Sequence, residues 1–440
     1  MEPLLALEGW PGSSHLACLY SGQADDPKSR WSLLAETTQT LVCHDDPREF
    51  LQQHIGLPTR PPLARSNATD AAPPDSPFGP GWVIAISYDA GAFIEPKARL
   101  DQSGATLGAS TTCAIARVNG GFVHDRQHRS WHRFGELTST QPIAQTPLSQ
   151  SSSPNSFAVK HLRSATGRDR FLAQATRVKA YIREGDAYQV NLSHDLRGSF
   201  EGSPRALFRA LAMAARPWHG LYLELPTQSA HPRAICSASP ELFLRYDPRT
   251  RRVTTRPMKG TAASIAPEES LRASPKDQAE LNMIIDLMRN DLGRSCIIGS
   301  VQVDEPRTIE RHTSVAGEGL LQATGTVSGT LRTDRSPLDL LWNAFPPGSI
   351  TGAPKLRAMQ IIQELEQRPR GFYCGTLGFI GDDGQMMLNV GIRTATVENG
   401  HITYPVGAGI VADSDEAAEW DETLAKAWPI ISISQGFDAQ

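Results

Sequence analysis

The sequence predicts an α+β protein in which antiparallel strands and amphipathic helices share an extensive core. Three observations carry that reading. Residues 188–193 alternate apolar and polar side chains with the period of a strand, and Phe171, Ala175, Val178 and Ile182 recur at helical spacing. The turn sequences Asp382-Asp383-Gly384 and Asn399-Gly400 punctuate residues 372–406 as three antiparallel strands. With 440 residues, 40% of them hydrophobic, the chain can bury a large core and form two domains or one elaborated one.

Composition excludes several function classes. Forty-three basic against forty-seven acidic residues leave a net charge of -4, which provides no electrostatic footprint for nucleic acid. The six cysteines (Cys18, Cys43, Cys113, Cys236, Cys296 and Cys374) are scattered without a Cys-x-x-Cys pair, so reduced thiols are expected instead of a zinc knuckle or a disulfide framework. The start Met1-Glu2-Pro3-Leu4-Leu5 has no basic region ahead of an apolar core, and no run approaches ~18 apolar residues. No membrane span and a cytoplasmic location are the expectation.

In chain order, residues 1–57 mix short apolar runs with Gly, Asp and Pro clusters and read as short strands with loops. Pro61, Pro62, Pro73, Pro74, Pro77 and Pro80 mark an exposed excursion, after which residues 82–88 read as a buried strand. The Ser, Thr, Gln and Pro content of residues 138–156 suggests a flexible connection. It divides the chain into an N-terminal region, 1–155, with an accessory sheet, and a second region, 156–436; the two can still share one fold.

The helix through Phe171 should end near Gly185-Asp186. In the strand that follows, Tyr188, Val190 and Leu192 suit a core face, while Gln189, Asn191 and Ser193 form a polar row for a ligand or for solvent. Ser203-Pro204 caps another helix. Glu241, in Ser239-Pro240-Glu241-Leu242-Phe243, is a carboxyl in apolar company, either a general acid with a raised pKa or a glutamate at a strand edge. Lys259, in Arg256-Pro257-Met258-Lys259-Gly260-Thr261, is either a nucleophile activated by apolar and cationic neighbours or a surface lysine in a turn. Residues 277–294 read as a largely buried helix ending at Gly293, whose Asp286, Arg289, Asn290, Asp291 and Arg294 need partners if buried. Asp277 and Glu280 share one face of it, available to a cation.

Ser336-Pro337 opens a further helix, and the small-residue loop Gly348-Ser349-Ile350-Thr351-Gly352-Ala353-Pro354-Lys355 could present N–H groups and hydroxyls to an anion. Its glycine spacing is wrong for a nucleotide P-loop. Arg393 is expected inside the middle strand of residues 372–406. The last helix carries Ala417, Trp420 and Leu424 on one stripe and Glu419, Glu422 and Lys426 on another, which could be a solvated salt-bridge ladder or ligands for a hard dication.

Taken together, these stretches resemble the chorismate-utilising enzymes, in particular the branch that makes 4-amino-4-deoxychorismate. The resemblance spans about residues 171–431 and rests on Gly185-Asp186-Ala187-Tyr188-Gln189-Val190-Asn191-Leu192, Ser239-Pro240-Glu241, Pro257-Met258-Lys259-Gly260-Thr261, Asp286-Leu287-Met288-Arg289-Asn290-Asp291-Leu292-Gly293-Arg294, Gly352-Ala353-Pro354-Lys355 and Gly407-Ala408-Gly409-Ile410-Val411-Ala412-Asp413-Ser414. It implies two packed, mostly antiparallel sheets surrounded by helices. By the same resemblance Glu280 and Glu422 bind Mg2+ directly, and Glu419 and Asp277 bind it through water. The ring carboxylate of chorismate then meets Lys426 and the backbone of Gly407, Ala408 and Gly409, while Arg393 and Tyr373 hold the enolpyruvyl carboxylate. Gly260, Thr261, Ser349 and Thr351 line the pocket.

Lys259 stands where the related anthranilate synthases carry alanine, which implies a covalent route in which Lys259 attacks the ring and Glu241 protonates the departing hydroxyl. Nothing resembles a glutamine amidotransferase, so ammonia is expected from a separate glutaminase subunit. Anthranilate synthase, isochorismate or salicylate synthase, and a non-catalytic module sensing chorismate or tryptophan are the alternatives. Ser21 and Ser29 fall where some relatives form a tryptophan pocket. Gln322 occupies the position of a family histidine, and His312 is assigned no role.

Overall fold

The computed structural model describes residues 2–10, 15–23, 29–56, 75–98, 111–137, 156–263, 268–313 and 319–438. The proline-rich excursion before residue 75 and the connection over 138–155 lie outside them. Among the described residues, two mostly antiparallel sheets form the frame. Neighbouring strands of the larger sheet run Gln435–Asp438, Phe157–Ser164, Gln189–Gly202, His401–Ile410, Thr394–Glu398, Arg233–Ser239, His219–Leu225, Leu16–Tyr20, Trp31–Glu36, Gly120–Asp125 and Ser130–Gly135. The smaller sheet runs Met258–Ala263, Gly319–Thr330, Arg252–Arg256, Leu242–Asp247, Met386–Val390, Thr376–Gly381, Gly81–Ile86, Cys113–Val118 and Gln39–Cys43, with Gln302–Thr313 paired to Gly319–Thr330. Strands from before residue 138 and after residue 156 therefore lie side by side in both sheets.

Period-2 alternation explains how single strands serve two cores. In Gly81–Ile86, Val83 and Ala85 face a cluster between the sheets with Leu19, Leu33, Leu221 and Phe379. Ile84 and Ile86 point to the other side, where Leu281, Ile284 and Met288 of helix Pro275–Gly293 pack. A third cluster covers the outer face of the larger sheet beneath helix Pro204–Ala215. That helix begins as expected, with the Ser203 hydroxyl accepting from the Ala206 N–H.

The structure corrects several expectations. The first 57 residues also contain helices, Pro3–Gly9 and Pro47–His54, each opened by proline at its first turn. The polar row of strand Gln189–Gly202 faces neither solvent nor bulk water, because Gln189, Asn191 and Ser193 are all buried, while Tyr188, expected on the core side, is 71% exposed. Helix Pro275–Gly293 buries only part of its charged set. Asp291 is buried against Lys355, whereas Asp286 and Arg289 pair on the exposed side. Residues 372–406 hold two hairpins in different sheets, Thr376–Gly381 with Met386–Val390 and Thr394–Glu398 with His401–Ile410. Arg393 lies in the crossover between them, with φ +50°.

Ser21 and Ser29 are buried and hydrogen-bonded to each other at 2.7 Å, and Ser21 also donates to the Trp218 carbonyl. The cavity beside them, lined by Tyr20, Trp31 and Trp218, measures about 20 Å³, room for roughly one water molecule.

Candidate active site

The site lies where the chain twice changes sheets. Arg233–Ser239 belongs to the larger sheet and Leu242–Asp247 to the smaller, so Glu241 sits at one crossing, and Arg393 sits at the return crossing. The two crossings are tied together, the Ala238 N–H donating to the Arg393 carbonyl at 2.9 Å and the Val390 N–H to the Glu241 carbonyl at 3.0 Å. Between them opens a cavity of about 350 Å³, lined by Asn191, Glu241, Lys259, Gln322, Tyr373, Arg393 and the acidic faces of two helices. A larger cleft of about 840 Å³ along the outer strands has one carboxylate, Asp438, and no lysine in its lining.

Glu241 is buried, and that burial raises its carboxyl from the ordinary value of 4.5 to about 7. The Ser349 hydroxyl, donating at 2.6 Å, the Met258 N–H and the charges of Lys259 and Lys426 work in the opposite direction and hold the rise to that level. A carboxyl poised there can give up or accept a proton at neutral pH.

Lys259 is on a strand of its own, Met258–Ala263, instead of in a turn; Pro257 interrupts the ladder after Arg252–Arg256. Gly260 makes the bulge that follows, with φ +81° and a shift in register against Gly319–Thr330. A Cβ at Gly260 would meet the Asp277 carboxylate at 2.9 Å, so this glycine is needed for its conformation and for the closeness of the helix. Arg256 does not face Lys259, as the sequence suggested, but forms an ion pair with Glu310. The partner of Lys259 is Glu280, Nζ to Oε2 3.0 Å.

On helix Glu416–Ile431 the predicted stripe faces the cavity. Glu419 is buried and accepts from the Ser414 hydroxyl at 2.6 Å. Burial raises its carboxyl, and the charge of Glu422 adds to the rise. Glu422 pairs with Lys426 at 2.6 Å, and Lys426 also donates to the Gly407 carbonyl at 3.1 Å. Two glycines keep strand His401–Ile410 thin here: a Cβ on Gly409 would stand 2.5 Å from Lys259 Nζ, and one on Gly407 2.7 Å from the Tyr373 hydroxyl. Ala408 turns its methyl into the core on the opposite face.

Arg393 is buried, and burial lowers the pKa of its guanidinium. Among the described residues no carboxylate pairs with it, an arrangement that suits an anionic ligand. Thr351 is buried and donates to the Pro347 carbonyl, away from the cavity lining. Thr261 is placed by its backbone, opposite Gln322. Lys355, which was expected to help form an anion loop, is held by Asp291 and the Ala344 carbonyl.

The donor set suits the magnesium that the family resemblance implies. Asp277, Glu280, Glu419 and Glu422 line one cavity with hard oxygen donors, and the repulsion between Glu419 and Glu422 is of the kind a dication relieves. Among the described residues no three such groups form a ready-made cluster. Lys259 and Lys426 instead engage Glu280 and Glu422.

Sequence reasoning left Asn191, Gln189 and Gln322 without roles. Asn191 and Gln322 line the cavity; Gln189 reaches the same edge, 3.1 Å from where a Gly409 Cβ would stand. The period-2 polar row was the available signal for the first two of these. Among the described residues, both amide atoms of Gln189 and the Oε1 of Gln322 are buried without hydrogen-bond partners.

Comparison with known proteins adds to this geometry. The family model described as chorismate binding enzyme matches residues 18–432. The chain is 34% identical to aminodeoxychorismate synthase component 1 of Salmonella typhimurium, over 93% of this chain and 90% of the relative. It is 38% identical to anthranilate synthase component 1 of Streptomyces coelicolor, over 66% of this chain and 59% of that one. The crystal structure of anthranilate synthase component I from Streptococcus pneumoniae superposes with a TM-score of 0.69 at 24% identity, covering 97% of each chain.

Proposed function

The chain belongs to the chorismate-binding enzyme family, and within it we propose that the protein aminates chorismate to 4-amino-4-deoxychorismate, the precursor of p-aminobenzoate in folate biosynthesis. Similarity to the Salmonella relative along nearly the whole chain supports this reading. The observation that carries it is the presence of Lys259 in one cavity with Glu241, a lysine facing an acid poised at about pKa 7.

In this reading Lys259 Nζ, released from Glu280, adds as the free amine to the ring carbon next to the carboxylate-bearing carbon. Nζ gives up one proton to solvent, both conjugated ring double bonds shift by one position, and Glu241 protonates the hydroxyl that leaves as water. Ammonia then bonds to the carbon the hydroxyl left, both double bonds shift back, and the bond to Lys259 breaks as Nζ regains a hydrogen. Arg393 and Tyr373 hold the enolpyruvyl carboxylate, and Lys426 with the backbone of Gly407, Ala408 and Gly409 holds the ring carboxylate. Gly260, Thr261 and Ser349 shape the wall, with Ser349 orienting Glu241. Glu280 and Glu422 would hold magnesium, with Glu419 and Asp277 in support. The ion supplies positive charge that neutralises a dianionic substrate.

The component 1 name of the relative implies a second component. We take it to be a separate glutamine amidotransferase subunit that delivers ammonia, in the cytoplasm. Among the described residues no helix is long and apolar enough to cross a membrane. The test is turnover of chorismate by this chain with magnesium and free ammonia at mildly alkaline pH. 4-Amino-4-deoxychorismate is the expected product by chromatography; anthranilate, isochorismate or salicylate would overturn the reading in favour of a sister activity.

A further inference from the structure

The four glutamates of the cavity are all engaged: Glu280 by Lys259, Glu422 by Lys426, Glu419 by Ser414 and Glu241 by Ser349. Gln322 is different. It projects from strand Gly319–Thr330 between Leu321 and Ala323, whose side chains lie in the core on the opposite face, and it lines the cavity with its Oε1 buried and, among the described residues, unpartnered. Its position relative to Lys259 is set by the bulge. Lys259 pairs with Ala323 and Thr261 with Gln322, and the residue between, Gly260, is the one inserted. The shift in register lets Lys259 and Gln322, from adjacent strands, reach one cavity. A buried amide oxygen without a donor is costly, so the reactant that completes this site must bring one.

We propose that Gln322 seats the ammonia of the second half-reaction, its Oε1 accepting one N–H. The inference rests on the amination reading given above. Chorismate offers two carboxylates, an ether oxygen and a single hydroxyl, and that hydroxyl is the group Glu241 protonates. Ammonia has N–H donors to spare and one lone pair that must stay free. A carboxylate at this position would favour the non-nucleophilic ammonium ion, and an imidazole could exchange protons with it. The amide does neither, because it accepts a hydrogen bond without titrating. With one N–H held by Gln322, the lone pair forms the new C–N bond, the bond to Lys259 breaks, and one ammonia hydrogen ends on Nζ.

The experiment compares the parent chain with Gln322→Leu and Gln322→Asn, using chorismate, magnesium and ammonium chloride at fixed pH. It reads KM for ammonia, KM for chorismate, and the rate at which chorismate forms an adduct on Lys259 when ammonia is omitted. Gln322→Leu is expected to raise KM for ammonia about tenfold, the loss of one hydrogen bond, with KM for chorismate and the adduct rate within about twofold of the parent. Gln322→Asn, which keeps the amide but withdraws it, should fall between. An unchanged KM for ammonia in Gln322→Leu, beside a parent that forms adduct and product, overturns the seat alone. Equal losses in adduct rate and in KM for chorismate overturn it too, by making Gln322 a chorismate or structural contact. A parent that forms neither adduct nor 4-amino-4-deoxychorismate removes the underlying reading, and the seat with it.

Discussion

Two of the lysine–carboxylate pairs in this protein, both made by carboxylates of helix Pro275–Gly293, behave differently. Lys259 meets Glu280 at 3.0 Å on the wall of a cavity, with Gly409 and Gln189 beside it. Lys355 meets Asp291 at 2.7 Å and also donates to the Ala344 carbonyl, away from that cavity. Each lysine is next to a glycine or proline in a short motif, and each carboxylate is on helix Pro275–Gly293, three turns apart. Burial lowers the pKa of Lys355 and raises that of Asp291, while their mutual attraction opposes both shifts. The first pair can exchange partners with a ligand, and the second can only hold the helix to the loop. The lesson is that a buried ion pair acquires chemistry from the empty volume next to it.

The largest expected effect separates the two pairs directly. Lys259→Ala should abolish the ammonia-free adduct, read by peptide mass after acid quench, and leave chorismate affinity within about tenfold, because the carboxylate contacts remain. Lys355→Ala should leave Asp291 buried and uncompensated and lower unfolding free energy by about 3–5 kcal/mol in a denaturant titration. If Lys259→Ala keeps the rate and product of the parent, Lys259 is a positioning cation and the contrast collapses.

Next in size is the metal. Glu280→Gln and Glu422→Gln should each raise the magnesium concentration for half-maximal turnover by about tenfold, since a neutral amide is a poorer ligand for a hard dication, and Glu419→Gln should do less. Unchanged titrations in both variants would return Glu280 and Glu422 to the role that Asp291 plays, that of ion-pair partners only.

A smaller effect concerns pH. Glu241 must be protonated to release the hydroxyl, and its carboxyl is raised from 4.5 to about 7. Adduct formation in the absence of ammonia should therefore lose its Glu241-dependent advantage as pH rises through about 7, and Glu241→Gln should flatten that limb. The stability linkage has the same sign. Between 4.5 and about 7 the folded state holds a proton that the unfolded state has lost, so this carboxyl destabilises the fold increasingly as pH rises through that window. A limb that persists in Glu241→Gln would assign the proton to another group. Smallest of all is the response to tryptophan: with Ser21 bonded to Ser29 and a cavity of about 20 Å³ beside them, calorimetry at millimolar tryptophan should record no heat. Measurable binding would mean that Tyr20, Trp31 or Trp218 moves aside.

Local pattern was enough for much of the fold and for most of the candidate site. Ser203-Pro204 and Ser336-Pro337 both open helices as read, the latter with a full capping box through Asp339. Glu241, singled out by its apolar surroundings, and Glu419, Glu422 and Lys426, singled out by their spacing, line one cavity. These features are local, set by a few residues and the period of their own element. The short N-terminal helices escaped notice because seven or eight residues give too little periodicity to outweigh turn-forming neighbours.

Only the tertiary structure decided what each polar group faces. Chain order could not reveal that the polar row of Gln189 and Asn191 would lie between strand His401–Ile410 and the segment around Thr351, at the edge of the cavity. Nor could it reveal that Arg256 would turn to Glu310, leaving Glu280 to meet Lys259. Arg393 reads as a strand residue from its neighbours, yet the chain crosses between sheets there, and the crossing gives it φ +50° and burial without a carboxylate partner among the described residues. The sequence by itself determined the elements and the types of residue available for chemistry, because periodicity, caps and bulges act over a few residues. Which of those residues share a cavity was determined by the packing of two sheets and two helices, since desolvation and ion pairing depend on neighbours distant in the chain.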